Sequence, residues 1–353
     1  MHSFLGTAFG SRVSSSAWML GAVLFACACG PIGGVEAGDG TPVAAQGGGS
    51  TGTSASAMPF MPPAPPAFKT VGYMPSWAGN NYSALQFDKL DYILFAFGTE
   101  HADGTVALPQ PVSLLAGLVS IAHSHNVRVL LSIGGWNNGD DSAYNAISAS
   151  TAAQATFAST IGTLCDEYQL DGVDIDWEYP DANVTQGYTS MMQTLSATLK
   201  PKNKTITIAG PAFGSGAAGI TTDAAPYIDL VNVMAYDDGQ GAPMSFAQSS
   251  LALWSGKGFP ASKLVLGVPF YSQPSNTPYS TLVMQNPAAS MQDAIVVGTT
   301  TERYNGIPTV QAKTVLAMQQ AGGIMAWDLS QDSRDTSVSL LSAINAQIAA
   351  AGK

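Results

Sequence analysis

The sequence predicts a (β/α)8 barrel, the α/β fold also called the TIM barrel, on three observations. Eight short runs of apolar and β-branched residues recur after residue 68, and helical patterns lie between them. Regular alternation of strand and helix is typical of parallel strands joined by crossover helices. The runs are almost continuously apolar, as expected of strands buried on both faces. A doubly wound open sheet is the alternative, but no GxGxxG motif follows an early run.

The eight predicted strands are the elements of a barrel domain that occupies residues 68–353. In chain order they cover residues 69–75, 90–98, 127–135, 170–178, 205–211, 227–237, 263–271 and 322–330. The clearest helical patterns cover residues 111–126, 151–168, 189–200 and 308–322. Because the active site of such a barrel lies at the carboxyl ends of its strands, the polar residues that end each run are the candidates for function.

A targeting segment is predicted at the N-terminus, over residues 1–27. Residues 17–29 form an apolar run after the basic residue Arg12, which suits a signal peptide and is too short to cross a bilayer. Residues 24–27 read LFAC and resemble a bacterial lipobox, which predicts lipidation of Cys27. Cleavage by an ordinary signal peptidase, followed by secretion, is the alternative.

Residues 28–67 are rich in Gly, Ser and Pro and are predicted to form a flexible linker. A linker with no domain before it is expected when the processed N-terminus is held in a membrane. We therefore expect an exported protein, either a cell-envelope lipoprotein or a secreted one. Its contact with a membrane would be limited to the N-terminal lipid anchor.

The chain is acidic, with 13 Lys and Arg against 24 Asp and Glu and a formal net charge of −11. Such a chain is not drawn by charge to nucleic acid or anionic membranes, so we expect a neutral or cationic substrate. The three cysteines, Cys27, Cys29 and Cys165, form neither a disulfide framework nor a zinc pattern. Cys165 is predicted to lie in the core on a helix. We expect a monomer that uses no cofactor.

The fourth predicted strand carries a cluster of carboxylates within DGVDIDWEYP, residues 171–180. Because strand side chains alternate, Asp174, Asp176 and Glu178 share one face. We expect that face to point into the barrel, with Glu178 nearest the rim. The apolar residues between them share the other face and should pack against the helices. Asp171 has a different parity and is expected to order the start of the strand.

Three neighbouring carboxylates inside a barrel cannot all ionise cheaply, since like charges and desolvation both raise carboxyl pKa values. A carboxyl that stays protonated near neutral pH can act as a general acid. A metal site is the competing interpretation, because carboxylates bind Mg²⁺ and Ca²⁺. Acids along one strand form a row rather than a shell, and no further ligand is placed to complete it, so we expect no metal.

The acidic motif of the fourth predicted strand and several other segments resemble those of a known family. DGVDIDWE, residues 171–178, matches the DxxDxDxE signature of glycoside hydrolase family 18, the chitinase family, at every specified position. SIGGW at residues 132–136, MAYD at 234–237 and MAWDLSQD at 325–332 are similar to the family's motifs on strands three, six and eight. VGYMPSW and FAFG resemble strands one and two. The resemblance therefore covers the whole barrel.

The resemblance implies a chitinase that hydrolyses β-1,4 bonds between N-acetylglucosamine units of chitin or chito-oligosaccharides. It implies retention of configuration assisted by the substrate itself, an exception among retaining glycosidases. Glu178 would be the general acid and then the base. Asp176 would orient the acetamido group and stabilise an oxazolinium intermediate, and Asp174 would share a proton with Asp176. Tyr236 would donate its hydroxyl to the acetamido oxygen.

The resemblance also implies a set of substrate-binding residues. Trp327 would form the floor beneath the sugar, since a flat indole suits the C–H face of a pyranose. The other members of the set are Asp237, Met234, Trp136, Tyr73, Phe97 and Ser132. Tyr73 and Ser132 are further expected to donate hydrogen bonds to the deep Asp174, because a buried carboxylate needs donors. Trp77, after the first strand, would flank a neighbouring subsite.

Two structural expectations come from the same resemblance. Non-proline cis peptide bonds are expected at Ala96–Phe97, Glu178–Tyr179 and Trp327–Asp328. Many family members carry an α+β insertion between strands seven and eight, but residues 271–322 leave no room for it beside their predicted helix. We therefore expect a barrel without that insertion, an open cleft, and cleavage within the chitin chain.

Two other functions stay open at this level. An endo-β-N-acetylglucosaminidase that cuts the core of N-glycans shares the acid and the mechanism, but such enzymes often carry Asn where this chain has Asp237. A non-catalytic chitin-binding lectin would keep the barrel and usually lose the acid, whereas Glu178 is present. The fold alone does not decide between them.

Overall fold

Eight parallel strands close into a barrel in the computed structural model, which describes residues 68–353. Each strand pairs with the next along the chain and the last pairs with the first, so that Val71 lies beside both Tyr92 and Met325. The barrel strands are β1 (Lys69–Pro75), β2 (Tyr92–Glu100), β3 (Arg128–Gly135), β4 (Gly172–Trp177), β5 (Thr205–Gly210), β6 (Leu230–Val233), β7 (Leu264–Pro269) and β8 (Gly323–Trp327). The predicted barrel is confirmed, and each predicted strand has its counterpart.

Helices connect the strands and pack on the outside of the barrel. They are α1 (Ser113–Ser124), α2 (Ser142–Ala149), α3 (Thr151–Glu167), α4 (Thr185–Leu199), α5 (Met244–Gly256), α6 (Tyr279–Gln285), α7 (Ile307–Gln320) and α8 (Leu340–Ala350). Local side chains fix several of their starts. The Ser150 side chain accepts the Ala153 N–H at the start of α3, and Ser339 caps α8 in the same way. Pro308 lies in the first turn of α7, where a missing N–H costs nothing.

The core has two layers. The outer layer, between strands and helices, includes Ile175 and Trp177 of β4. The inner layer fills the barrel and includes Tyr73. Asp174 and Asp176 are buried on the inward face of the same strand. The alternation predicted for this strand is therefore confirmed, because its apolar residues contact the helix layer and its first two acids lie within the barrel.

The connection from β7 to β8 holds helix α6, a small antiparallel hairpin formed by Ala294–Val297 and Thr300–Arg303, and helix α7. The helix predicted over residues 308–322 corresponds to α7, and the sequence predicts no strands in this connection. Its two strands have only four residues each, and Val296 is largely exposed, so they lack the buried apolar run that marks the barrel strands. The predicted fold class, without an inserted α+β domain, is confirmed.

The backbone changes direction at the carboxyl ends of several strands. Cis peptide bonds occur at Ala96–Phe97, Glu178–Tyr179 and Trp327–Asp328, as predicted. The sixth predicted strand extends to residue 237, whereas β6 ends at Val233. Beyond it the N–H groups of Ala235 and Tyr236 donate to the carbonyls of Val233 and Met234. The MAYD motif is therefore a turn above the barrel and not the end of a strand.

Three of the sequence-based predictions fall outside the described residues: the signal peptide, the lipidated Cys27 and the linker over residues 28–67. Within residues 68–353 no helix combines the length and apolarity needed to cross a membrane. Cys165 is buried on α3, as predicted.

Candidate active site

Asp174 lies fully buried on β4, at the centre of the barrel. Its carboxylate accepts four hydrogen bonds, from Tyr73 Oη at 2.8 Å, Ser132 Oγ at 2.8 Å, Thr207 Oγ1 at 2.5 Å and Asn232 Nδ2 at 3.2 Å. The donors come from four different strands, so one carboxylate joins β1, β3, β5 and β6 to β4. Burial raises the pKa of Asp174, and the donors oppose that rise.

Asp176 lies one step nearer the rim and has the opposite environment. Its side chain is buried, and its Oδ1 atom has no hydrogen-bond partner among the described residues. Burial, followed by the charges of Glu178 and Asp174, raises its pKa well above the ordinary value. Because donors surround Asp174 and none meets Oδ1 of Asp176, a proton retained by this pair is held more readily on Asp176.

Glu178 follows the last residue of β4 and lines the cleft above it, half-buried. Burial raises its pKa, the charges of Asp237 and Asp141 add to the rise, and the neighbouring Tyr179 side chain opposes it. A carboxyl group whose pKa is raised keeps its proton to higher pH. Glu178 is thus suited to donate a proton to a group bound in the cleft.

An aromatic cleft of about 770 Å³ opens above Glu178. Trp327, at the end of β8, stacks on Phe97 with ring centroids 5.8 Å apart and planes at 19°, and it meets the ring of Tyr73 edge-on at 5.1 Å. The residues that line the cleft are Trp77, Phe97, Trp136, Asp176, Glu178, Tyr179, Ala212, Phe213, Met234, Tyr236, Asp237, Asp238, Phe246 and Trp327.

Six of the eight aromatic side chains that line the cleft form two groups. One comprises Trp77, Phe97 and Trp327, and the other Trp136, Tyr179 and Phe213. Flat rings of this kind match the apolar faces of sugar rings. Trp77 is 66% exposed and Trp136 is 56% exposed, and exposed apolar surface on this scale marks binding sites. Glu178 lines the same cleft as the two aromatic groups.

The turn of residues 234–237 brings Tyr236 and Asp237 to the cleft wall. Tyr236 is largely buried, and the small part of it that is exposed lines the cleft. Asp237 has a φ of 61°, in the left-handed region that Asp tolerates better than most residues. Its carboxylate accepts hydrogen bonds from the Tyr271 hydroxyl and from Gln273 Nε2. These contacts hold the Asp237 side chain at the edge of the cleft.

Gly134 allows β3 to approach β4 beside the acids. Its φ is 105°, and a Cβ atom at this position would lie 2.2 Å from the backbone carbonyl oxygen of Asp176. The same Cβ would lie 2.9 Å from the ring of Tyr144. Glycine fits here because it has no Cβ and readily adopts positive φ.

The structure brings most of the predicted site residues into the cleft. Those that line it are Asp176, Glu178, Tyr236, Asp237, Met234, Trp136, Trp327 and Phe97. Tyr73 and Ser132 lie beneath the cleft, where they donate to Asp174 as expected. Their predicted place in the substrate-binding set does not fit their burial, so they support the site from below. Asp171 lies at the amino end of β4 and accepts the Val129 N–H at 2.7 Å.

Sequence reasoning missed several residues of the site. Thr207 and Asn232 are polar residues on inward positions of apolar strands, so the alternation rule that located Asp174 also marks them. Tyr179 and Phe213 lie in segments without a regular period, and no sequence signal places them. Within residues 68–353, no three His, Cys, Asp or Glu side chains are grouped to hold a metal ion.

Comparison with known proteins points to one family. The family model for glycosyl hydrolases family 18 matches residues 69–332. A Caenorhabditis elegans protein named as a probable endochitinase is 28% identical over 248 residues, which are 57% of this chain and 40% of the relative. The chain spans less than two thirds of the length of the first curated relatives that it matches.

Solved structures share the fold. The crystal structure of a GH18 chitinase from the chitin utilization locus of Flavobacterium johnsoniae gives a TM-score of 0.71 at 25% identity, over 80% of this chain and 94% of that one. A chitinase-like agglutinin from Robinia pseudoacacia gives a TM-score of 0.70 at 20% identity, over 78% of this chain and 98% of its own. At that identity the second likeness shows the fold alone.

Proposed function

The chain belongs to glycosyl hydrolases family 18, and we propose on this basis that it hydrolyses the β-1,4 bonds between N-acetylglucosamine units of chitin. The observation that carries the proposal is the row Asp174, Asp176 and Glu178, which rises from the centre of the barrel into an aromatic cleft. This arrangement supports the proposal, because Glu178, an acid with a raised pKa, lines the same cleft as Trp327, on which a sugar would stack.

In the first step the substrate's own acetamido oxygen attacks its anomeric carbon. The bond from that carbon to the glycosidic oxygen breaks, and Glu178 transfers its proton to the leaving oxygen. The product of this step is an oxazolinium ion, whose positive charge is stabilised by the single negative charge that Asp174 and Asp176 share with their retained proton. The buried Oδ1 atom of Asp176, which lacks a partner among the described residues, would gain one in the acetamido N–H. Tyr236 would donate its hydroxyl to the acetamido oxygen.

In the second step water attacks the anomeric carbon from the side that the leaving group vacated. Glu178, now ionised, accepts a proton from this water, the ring of the oxazolinium opens, and the acetamido group is restored. Two displacements at the same carbon retain the β configuration. Asp174 stays in place beneath Asp176 throughout, because four side chains hold its carboxylate.

We propose that cleavage occurs within the chitin chain. Apart from helix α7, the connection between β7 and β8 contributes only the short helix α6 and a hairpin whose two strands have four residues each. Aromatic side chains lie in two groups in the cleft of Glu178, so rings are available for sugars beyond the one being cleaved. This arrangement suits a polymer that passes through the cleft and extends beyond it in both directions.

The proposal is tested by following product formation by NMR from a soluble chitin hexamer and from a high-mannose glycopeptide. We expect the wild type to cleave the hexamer, with early products of several lengths carrying the β anomer at the new end. Glu178→Gln should lower the rate about a thousandfold, since a positioned acid and base contributes roughly 10²–10⁴-fold. Glu167→Gln, on the exposed surface of α3, is the matched control and should cleave normally.

Three results would contradict the proposal in different ways. Release of glycan without hexamer cleavage would identify an endo-β-N-acetylglucosaminidase. Tight binding of the hexamer by wild type and Glu178→Gln alike, with no cleavage by either, would identify a lectin. Early release of dimer alone would contradict cleavage within the chain and leave the hydrolase assignment standing.

A further inference from the structure

Asp141 lies at the junction between the loop that carries Trp136 and helix α2. It occupies the position just before Ser142, the first residue of that helix, where an Asp side chain commonly caps the first turn. Here the Asp141 side chain makes no capping hydrogen bond. The neighbouring Asp140 accepts the Ser142 N–H instead, at 3.1 Å. The local helix therefore gives no reason for the position of the Asp141 carboxylate.

The Asp141 carboxylate instead reaches β4, at residues on both sides of Glu178. Its Oδ2 atom accepts the backbone N–H of Tyr179 at 3.0 Å. The buried indole N–H of Trp177 has no partner of ordinary hydrogen-bond geometry among the described residues, yet it lies close enough to oppose the rise in the pKa of Asp141. The Tyr179 N–H therefore donates a hydrogen bond to Asp141, and the Trp177 N–H is a second polar group near the same carboxylate.

We propose that Asp141 is a positioning residue for Glu178: its carboxylate fixes the peptide that follows Glu178 and adds a negative charge to the surroundings of that acid. The proposal rests on the proposed hydrolase function. Asp141 does not line the cleft, so it acts through Glu178 and not on the substrate. Asp141 is half-buried, and the Tyr179 N–H that it accepts belongs to the peptide that directly follows Glu178.

Several charged and titratable groups surround the two residues. Glu178 faces Asp176 from β4, Asp237 from the turn after β6, and Asp141 from the loop after β3, with Tyr179 and Tyr236 adjoining it. Asp141 in turn has Asp140, Asp181 and Glu100 nearby. Burial raises the pKa of Asp141, and the Tyr179 N–H opposes the rise. Removing the Asp141 charge alone should lower the pKa of Glu178, because one of the negative charges that raise it is lost.

Two substitutions separate the hydrogen bond from the charge. Asp141→Asn keeps an oxygen that can accept the Tyr179 N–H and removes the charge. Asp141→Ala removes both. Asp140→Asn changes the neighbouring acid, which is exposed and accepts the Ser142 N–H of α2, and serves as the matched control. The profile of kcat/KM against pH, measured on a chitin hexamer, reports loss of the Glu178 proton in its alkaline limb.

We expect Asp141→Asn to move the alkaline limb to lower pH by about half a unit, since nearby like charges shift carboxyl pKa values on this scale. Its kcat on the plateau should stay within about twofold of wild type, because the acceptor for Tyr179 persists. Asp141→Ala should lower kcat about tenfold with little change in KM, a loss expected when an acid is misdirected. Asp140→Asn should match wild type. An alkaline limb that coincides in wild type and Asp141→Asn would overturn the proposal.

A second measurement does not depend on turnover. The sequence has five glutamates, Glu36, Glu100, Glu167, Glu178 and Glu302, so selective ¹³C-glutamate labelling gives few carboxyl signals, and Glu178→Gln assigns one of them. The Glu178 signal should titrate at lower pH in Asp141→Asn than in wild type, and an unchanged titration would again overturn the proposal. If the wild type cleaves no substrate while this shift is present, the hydrolase assignment fails and the influence of Asp141 on Glu178 stands.

Discussion

At the scale of single residues, the buried acids of this barrel differ in the donors that surround them. Asp174 accepts hydrogen bonds from four side chains. Glu100, at the end of β2, is only 8% exposed, and burial raises its pKa to about 7, with the charges of Asp141 and Asp140 adding to the rise. Its own backbone N–H is the donor that opposes this. Ionising Glu100 in the folded state therefore opposes folding.

The pH dependence of stability follows from that raised pKa. The folded state binds the Glu100 proton up to about pH 7, whereas the unfolded state releases it near 4.5. The contribution of Glu100 to stability is therefore greatest below the lower value and falls as pH rises to the upper one, by up to about 3 kcal/mol. Glu100→Gln should match wild type at pH 4 and exceed it at pH 8 in urea unfolding. The control Glu167→Gln, at an exposed position, should match the wild type at both pH values. Equal stability of Glu100→Gln and wild type at pH 8 would contradict the raised pKa of Glu100.

At the scale of elements, the turn after β6 is held from the side of α7. Lys313, fully buried on α7, donates to the carbonyl of Ala242 at 2.6 Å and to Asn305 Oδ1 at 2.6 Å. Asn305 in turn donates to the carbonyl of Gly241 at 2.7 Å. Asp238, which lines the cleft, accepts the N–H of Ala242 at 2.8 Å. The helix before β8 thus fixes one wall of the cleft through backbone groups.

Lys313→Met should loosen this turn while keeping the length of the buried chain. We expect faster amide hydrogen exchange over residues 237–242 and a rise in KM of about fivefold, because a binding wall becomes mobile. The alkaline limb of the activity profile should not move, since Glu178 keeps its neighbours. Lys202→Met, on a surface lysine paired with Asp166, is the control. Unchanged exchange in Lys313→Met would show that the turn is held by other contacts.

The sequence alone predicts the side chains of buried strands well, and it predicts loop contacts and exposed strands poorly. The alternation of β4 placed Asp174, Asp176 and Glu178 correctly, because strand geometry is local and both faces are buried. The same rule applies to Thr207 and Asn232. Asp141 escaped it, since its partner Tyr179 is distant in sequence and the contact depends on how a loop packs against β4. The short hairpin after α6 escaped it because its strands are partly exposed.

At the scale of the whole molecule, the described chain enters the barrel at the end opposite the cleft. The described chain enters at Phe68, directly before β1, at the amino ends of the strands. The cleft lies at their carboxyl ends. The linker predicted over residues 28–67 would therefore join the barrel at the end opposite the cleft. We propose that the chain is exported and lipidated at Cys27, so that the cleft meets a polymer outside the cell.

The anchoring proposal is tested in cells that make the full chain. Cys27→Ala should abolish incorporation of labelled fatty acid and move the protein from the membrane fraction to the soluble fraction. Its rate on a soluble chitin hexamer should stay within about twofold of wild type, because the linker is remote from the cleft. Cys29→Ala is the matched control and should remain anchored. Fatty acid retained by Cys27→Ala, or none on the wild type, would contradict the proposal.

Because the tryptophans differ in exposure, their fluorescence can report the binding of a ligand in the cleft. The sequence has six tryptophans. Trp177 and Trp254 are buried in the outer core, whereas Trp77 and Trp136 are both exposed and both line the cleft. Indole emission shifts to shorter wavelength when water leaves the ring. A sugar that settles on either exposed ring should therefore change the fluorescence spectrum, and ligand binding can be titrated without a label or a cleavage event.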